Sequence, residues 1–172
     1  SGDPRSQNAE SSDQPPRYIG WPGTESKVFN LPVQVRDSLH WYPLYHHLSE
    51  SKPIIVYDII VESFRHMHAL IVFTKSYIFE MDDTLAIYCH DDVNHTVGIW
   101  LLKNYESEVW SLKYRIRLPV EEISGRFEGC DDSWDVKLWS VNAASSRHGG
   151  MLLLVSFGQW ALHIDTHGKI ML

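Results

Sequence analysis

The stretch from Val97 to Pro119, VGIWLLKNYESEVWSLKYRIRLP, decides the fold class. In its second half Trp110, Leu112, Tyr114, Ile116 and Leu118 alternate with Ser111, Lys113, Arg115 and Arg117. Successive side chains of a strand point to opposite faces, so this pattern predicts a strand with one apolar and one wet face. Helical steps of about 100° per residue would scatter the same positions around a cylinder. The first half, Val97 to Leu102, is apolar on both faces and predicts a strand covered on both sides. Lys103 to Glu108 between them is polar and of hairpin length.

The flanking chain repeats this theme. Strands are expected at Val33–Tyr42, which contains Ser38 to Tyr42 and is ended by Pro43, and at Ile54–Asp58. They continue at Ser63–Met67, Ser76–Met81, Thr84–Tyr88, Trp134–Val141, Met151–Ser156, Trp160–Asp165 and Ile170–Leu172. Asp82-Asp83 is placed as a hairpin turn, since Asp tolerates the left-handed conformation better than most residues. Asp165-Thr166-His167-Gly168 carries Asp first and Gly fourth, a type I turn signature. Loops are expected at 44–53, 90–96 and 142–150. Residues 1–27 are rich in Ser, Pro, Gly and charge, which predicts a disordered leader or linker. Tyr18, Ile19 and Trp21 are its candidates for docking on the domain at 28–172.

Strand-turn-strand units at 54–67, 97–118 and 151–165 each follow a further strand, at 38–42, 84–88 and 134–141. Their spacing of about 43 to 54 residues matches propeller blades. The expectation is an all-β fold of antiparallel sheets in a β-propeller-like arrangement of about three blades. Propellers usually close with about four to eight, so the set is read as incomplete or as part of a larger ring.

Composition narrows the function. With 172 residues and 44% hydrophobic content the chain can bury one real core. A net charge of −7, with no basic run, argues against nucleic acid. No apolar run approaches the roughly 20 residues that span a bilayer, so no membrane partner is expected. The chain opens on a serine with no signal-peptide pattern, and a fragment or processed form is expected. Cys89 and Cys130 lack CxxC spacing and are read as reduced thiols of a cytosolic or nuclear protein.

Segments along the chain carry a resemblance. They are SLHWYP at 38–43, IIVYDIIVESFRHM at 54–67, YIFEMDDTLAIY at 77–88, VGIWLLKNYESEVWSLKYRIRLPVEEISGRF at 97–127, DDSWDVKLWSV at 131–141 and MLLLVSFGQWALHIDTHGKI at 151–170. From about Val28 onward the chain resembles the F-box associated domain of plant F-box proteins, in the form abundant in grasses. The resemblance implies a β domain that presents target proteins to a cullin-based ubiquitin ligase of the SCF type. The ligase adaptor would be reached only through an F-box, and nothing before Val28 has the helical periodicity of one. Asp37 and Asp83 stand where the family commonly has Gly.

Chemistry-bearing clusters are weighed against plainer readings. His46-His47, His66 with His68, and His90-Asp91-Asp92 with His95 lack the ligand spacing of a zinc site. No metal or other cofactor is therefore expected. Ser156-Phe157-Gly158 is no nucleophile elbow, and Glu106 with Glu108 reads as a solvated turn, so no enzyme is expected. Trp41, Trp100, Trp110, Trp134 and Trp160 are assigned to core packing. Trp21 and Trp139 are the weak candidates for a protein-binding surface, since interfaces favour Trp as an anchor. The three loops are expected to carry recognition. The alternative is a β-propeller or sandwich binding module unrelated to ubiquitin, for a glycan for example, and a metal-dependent enzyme built on the histidines ranks third.

Overall fold

A computed structural model describes residues 20, 30–42, 53–70, 75–127, 140–145, 150–157 and 160–171. Their strands form three four-stranded antiparallel sheets, each a meander in chain order. The first sheet holds β1 (Val33–Val35), β2 (Ser38–Trp41), β3 (Pro53–Asp58) and β4 (Ser63–His68). The second holds β5 (Lys75–Met81), β6 (Thr84–Asp91), β7 (Thr96–Asn104) and β8 (Val109–Arg117), and is followed by the helix α1 (Val120–Phe127). The third holds β9 (Ser140–Ser145), β10 (Met151–Phe157), β11 (Trp160–Ile164) and β12 (Ile170–Met171).

The second sheet is the centre of the molecule. Ile78, Leu85, Ile87 and Leu102 pack against Val35, Tyr42, Ile54, Val56 and Met67 of the first sheet and its edge. On the opposite face Phe79, Tyr88, Val97, Ile99 and Ile116 pack against Val141, Leu153, Val155 and Ile164 of the third. This double cover is why Val97 to Leu102 is apolar without alternation.

The expected single apolar face of β8 is corrected. Ile99 pairs with Tyr114 but Trp100 pairs with Leu112, so Lys113 is an extra, unpaired residue. This bulge swaps the faces of β8 partway along its length. Ile116 joins the core shared with the third sheet, and Trp110 packs on the core shared with the first. Leu112, left beyond that cover, is an exposed hydrophobic. The Lys113 ammonium lies 2.6 Å from the Asp82 carboxylate, in the β5–β6 turn.

Other boundaries move for identifiable reasons. Val33–Tyr42 is two strands, because the chain reverses at Arg36-Asp37 with φ +52 at Arg36. The first sheet therefore has four strands where three were expected. Residues 142–145, expected in a loop, belong to β9, because their backbone pairs with β10 from Met151 to Leu154. The hairpin at 151–165 is thus the second and third strand of its sheet, whereas 54–67 and 97–118 are third and fourth. Residues 134–139 lie outside the described residues, as do 1–19.

Helix α1 was not expected from its sequence, VEEISGRF. It is short and contains Ser and Gly, both weak helix formers. Pro119 accepts the first turn's bond from Ile123 N–H at 2.9 Å. Glu121 and Glu122 suit the positive end of the helix dipole. Fully buried Ile123 anchors the helix in the core.

Candidate recognition surface

Three connections share one locking device. In the β3–β4 turn, Asp58 Oδ1 accepts from the N–H groups of Ile60 (2.9 Å) and Val61 (3.0 Å). In the β6–β7 turn, Asp91 Oδ1 accepts from those of Val93 (2.9 Å) and Asn94 (3.0 Å). In the β7–β8 turn, Asn104 Oδ1 accepts from Ser107 N–H at 2.8 Å. The fourth residue after each locking Asp or Asn closes the turn in the left-handed region: Glu62 at φ +52, His95 at +50 and Glu108 at +54. Short Asx side chains stand in for backbone acceptors here, which fixes the turn without a buried core beneath it. The Asn94 amide, reaching Asp91 Oδ2 at 2.7 Å, holds the Asp91 carboxyl below its usual range. Asp165 repeats the device in the β11–β12 turn, accepting from His167 and Lys169 N–H at 2.9 and 2.8 Å.

The β7–β8 turn is also clamped to the first sheet. Fully buried His40 donates from Nδ1 to the Val33 carbonyl at 3.1 Å, which leaves Nε2 to accept from the Tyr105 hydroxyl at 2.7 Å. Burial pulls the His40 pKa down to about 4, so the ring is neutral at pH 7. The Arg65 guanidinium sits 4.9 Å from the centre of the Tyr105 ring. Glu108 accepts from the backbone N–H of His68 at 2.9 Å and faces its Nδ1 at 2.6 Å. Trp110 Nε1 donates to the His68 carbonyl at 3.2 Å.

Two open clefts flank these turns. One of about 270 Å³ is lined by Arg36, Asp83, Thr84, Leu102 and Glu106. The other, of about 540 Å³, lies between His95, Arg117, Pro119 and Glu122.

The residues singled out in the sequence fall in several places. Trp21, Trp134, Trp139, Cys130, Gly158 and His46-His47 lie outside the described residues. Trp41, Trp100 and Trp110 are half-buried, whereas Trp160 is 52% exposed and is corrected from a core position. It stands at the end of β11, past the cover of the core. Loop 90–96 contracts to a four-residue turn because β6 and β7 stay paired as far as Asp91 and Thr96. Of loop 44–53, only Pro53 is described, and it opens β3.

His66 and His68 share the outer face of β4, and Glu108 engages His68. Buried His90 stands 3.0 Å from Asp92, which also pairs with Lys75 at 3.0 Å. Among the described residues no three His, Cys, Asp or Glu side chains gather as a metal site. Ser156 Oγ lies 2.7 Å from Ser140 Oγ on the neighbouring strand. Cys89 is a free thiol whose pKa burial pushes up. Among the described residues no helix is long and apolar enough to cross a membrane.

The strand-turn-strand pattern at 54–67 leaves Ile59, Ile60 and Val61 in a turn without assigning them a role, and in the structure Ile60 is 72% exposed and Val61 66%. The signal was present: three β-branched aliphatic residues occupy positions where turns ordinarily carry Gly, Asn, Asp or Ser. Neither a protein-family model nor a curated protein sequence matches the chain.

Proposed function

We propose that the chain is a non-catalytic protein-interaction domain, the target-recruiting module of an SCF-type ubiquitin ligase of the cytosol or nucleus. The observation that carries the interaction reading is the set of Asx-locked turns on the doubly covered sheet and on the two sheets packed against it. A rigid frame that holds short turns in one conformation presents side chains to a partner at low ordering cost. The ligase part rests on the resemblance. Its three most specific segments fall on connected hairpins: ESFRHM on the β3–β4 turn and β4, FEMDDTLAIY on β5–β6 and YESEVWSLKYRI on β7–β8.

In the same reading the three meanders form a propeller-like series. Each packs on the next in chain order, with β1 beside β5 and β5 beside β9. The β11–β12 turn lies on the carbonyl of Arg117, at the end of β8.

The test is a fusion of residues 28–172 to F-box helices in plant cells, followed by quantitative proteomics. Proteasome-dependent depletion of a small set of proteins is expected. No depletion, together with specific binding on a glycan array, would replace this reading with the glycan-binding one.

A further inference from the structure

We propose that Ile59, Ile60 and Val61 form a preformed insertion tip for a protein surface carrying an apolar stripe bordered by Lys or Arg, as a basic amphipathic helix does. The inference rests on reading the chain as a protein-interaction domain and names the partner chemistry. Single exposed aliphatic side chains are ordinary on protein surfaces. Three in succession on one turn are not, and Ile59 is itself 41% exposed.

The tip's conformation does not depend on burying these side chains. Asp58 holds the N–H groups of Ile60 and Val61, and Ile59 N–H donates to the Asp37 carbonyl at 2.8 Å. That last bond ties the tip to the β1–β2 turn. Little ordering is left for binding to impose, which is the condition for a short apolar element to act as an anchor.

Charge selects the partner. Asp58 precedes the tip, and the bond from Ile59 brings Asp37 beside it. Arg36 stands in the adjoining turn, so with Asp37 and Asp58 against it the collar is acidic on balance among the described residues. The whole chain, at −7, favours the same sign of partner. A stripe of Leu or Val bordered by Lys or Arg satisfies both the tip and its collar, whereas one bordered by Glu would repel the collar.

The probe is a fluorescein-labelled amphipathic helical peptide of Leu and Lys, compared with its Leu and Glu counterpart by fluorescence anisotropy. The unmodified chain should bind the Leu–Lys peptide, more weakly as salt rises. Ile60→Ser with Val61→Ser, neutral changes at exposed positions, should weaken binding roughly tenfold or more with the melting temperature preserved. Asp37→Lys keeps the aliphatic tip and should shift preference toward the Leu–Glu peptide. Val93→Ser, in the β6–β7 turn, should change nothing.

Equal binding of both peptides, or full binding by the double Ser variant, overturns the proposal. So does self-association of the chain that the double Ser variant abolishes, since the occupant would then be a second copy. In the proteomic fusion, depletion that survives the double Ser variant removes the tip and leaves recruitment standing. Absence of any depletion while the peptide still binds removes recruitment and leaves the tip.

Discussion

The imidazole of His40 and the hydroxyl of Tyr105 meet at 2.7 Å across the junction of the first and second sheets. The pair joins β2 to the β7–β8 turn, 65 residues away in the chain. Because Nδ1–H is committed to the Val33 carbonyl, Nε2 can only accept, and a proton added there would break the contact. Stability should therefore depend on pH in a definite direction.

In the unfolded chain His40 takes up a proton near its ordinary pKa of 6.5, and in the folded chain only near 4. Between these values the unfolded state binds more protons, so folding stability rises with pH. The contribution is complete above about pH 6.5 and is lost as pH falls toward 4, with a full span of about 3 kcal/mol. Burial also holds His90 below its ordinary pKa, against the pull of Asp92, and so acts in the same sense. Urea unfolding at a series of pH values between these limits checks it, and a flat profile would refute the buried neutral imidazole.

Tyr105→Phe tests the other partner. The ring and its contact with Arg65 remain, but Nε2 of His40 is left without its donor. An unsatisfied buried acceptor costs about 1–3 kcal/mol, and the variant should lose that much in chemical denaturation at pH 7.

Glu108 joins two sheets through one carboxylate. Burial works to raise its pKa, but the backbone N–H and imidazole of His68, with Arg65 at 3.6 Å, outweigh this and hold it low. The carboxylate's contribution is present above its ordinary range and is lost as pH falls below it. Glu108→Ala should cost about 1–2 kcal/mol, a figure kept modest because the site is part-exposed. Amide exchange at His68 should rise in the same variant.

Asp82 and Asp83 both hold positive φ, +54 and +55, the geometry of a two-residue type I′ turn. Glycine adopts the second position without a Cβ penalty. Asp83→Gly keeps the Asp83 N–H bond to Glu80 and the Asp82–Lys113 pair, since neither uses the Asp83 side chain. It should stabilise the domain by about 0.5–1 kcal/mol, read as a higher melting temperature.

Gly168 should not tolerate any side chain. Its φ is +83, and a Cβ there would collide with the Arg117 carbonyl oxygen. Gly168→Ala combines backbone strain with loss of close packing between the β11–β12 turn and β8. A loss of about 2–4 kcal/mol is expected in thermal unfolding.

What the sequence determined was local. Alternation in Trp110–Leu118, apolar continuity in Val97–Leu102 and turn chemistry at Asp82-Asp83 and Asp165–Gly168 suffice for strands and hairpins, because each depends on side-chain period or on a few adjacent dihedral angles. Tertiary structure decided which face each strand buries. The bulge at Lys113 turns Trp110 toward one core and Ile116 toward the other, and no periodicity along β8 alone records a residue left unpaired by β7. Pairing with β10 makes a strand of the Asn142–Ser145 segment, which carries no strand-forming β-branched or aromatic residue, and burial of Ile123 makes a helix of VEEISGRF. His40 and Glu108 become junction residues through neighbours tens of positions away. The exposed tip at Ile59–Val61 lies between these cases: its turn was legible, but its exposure was not, because burial depends on what the rest of the chain places above it.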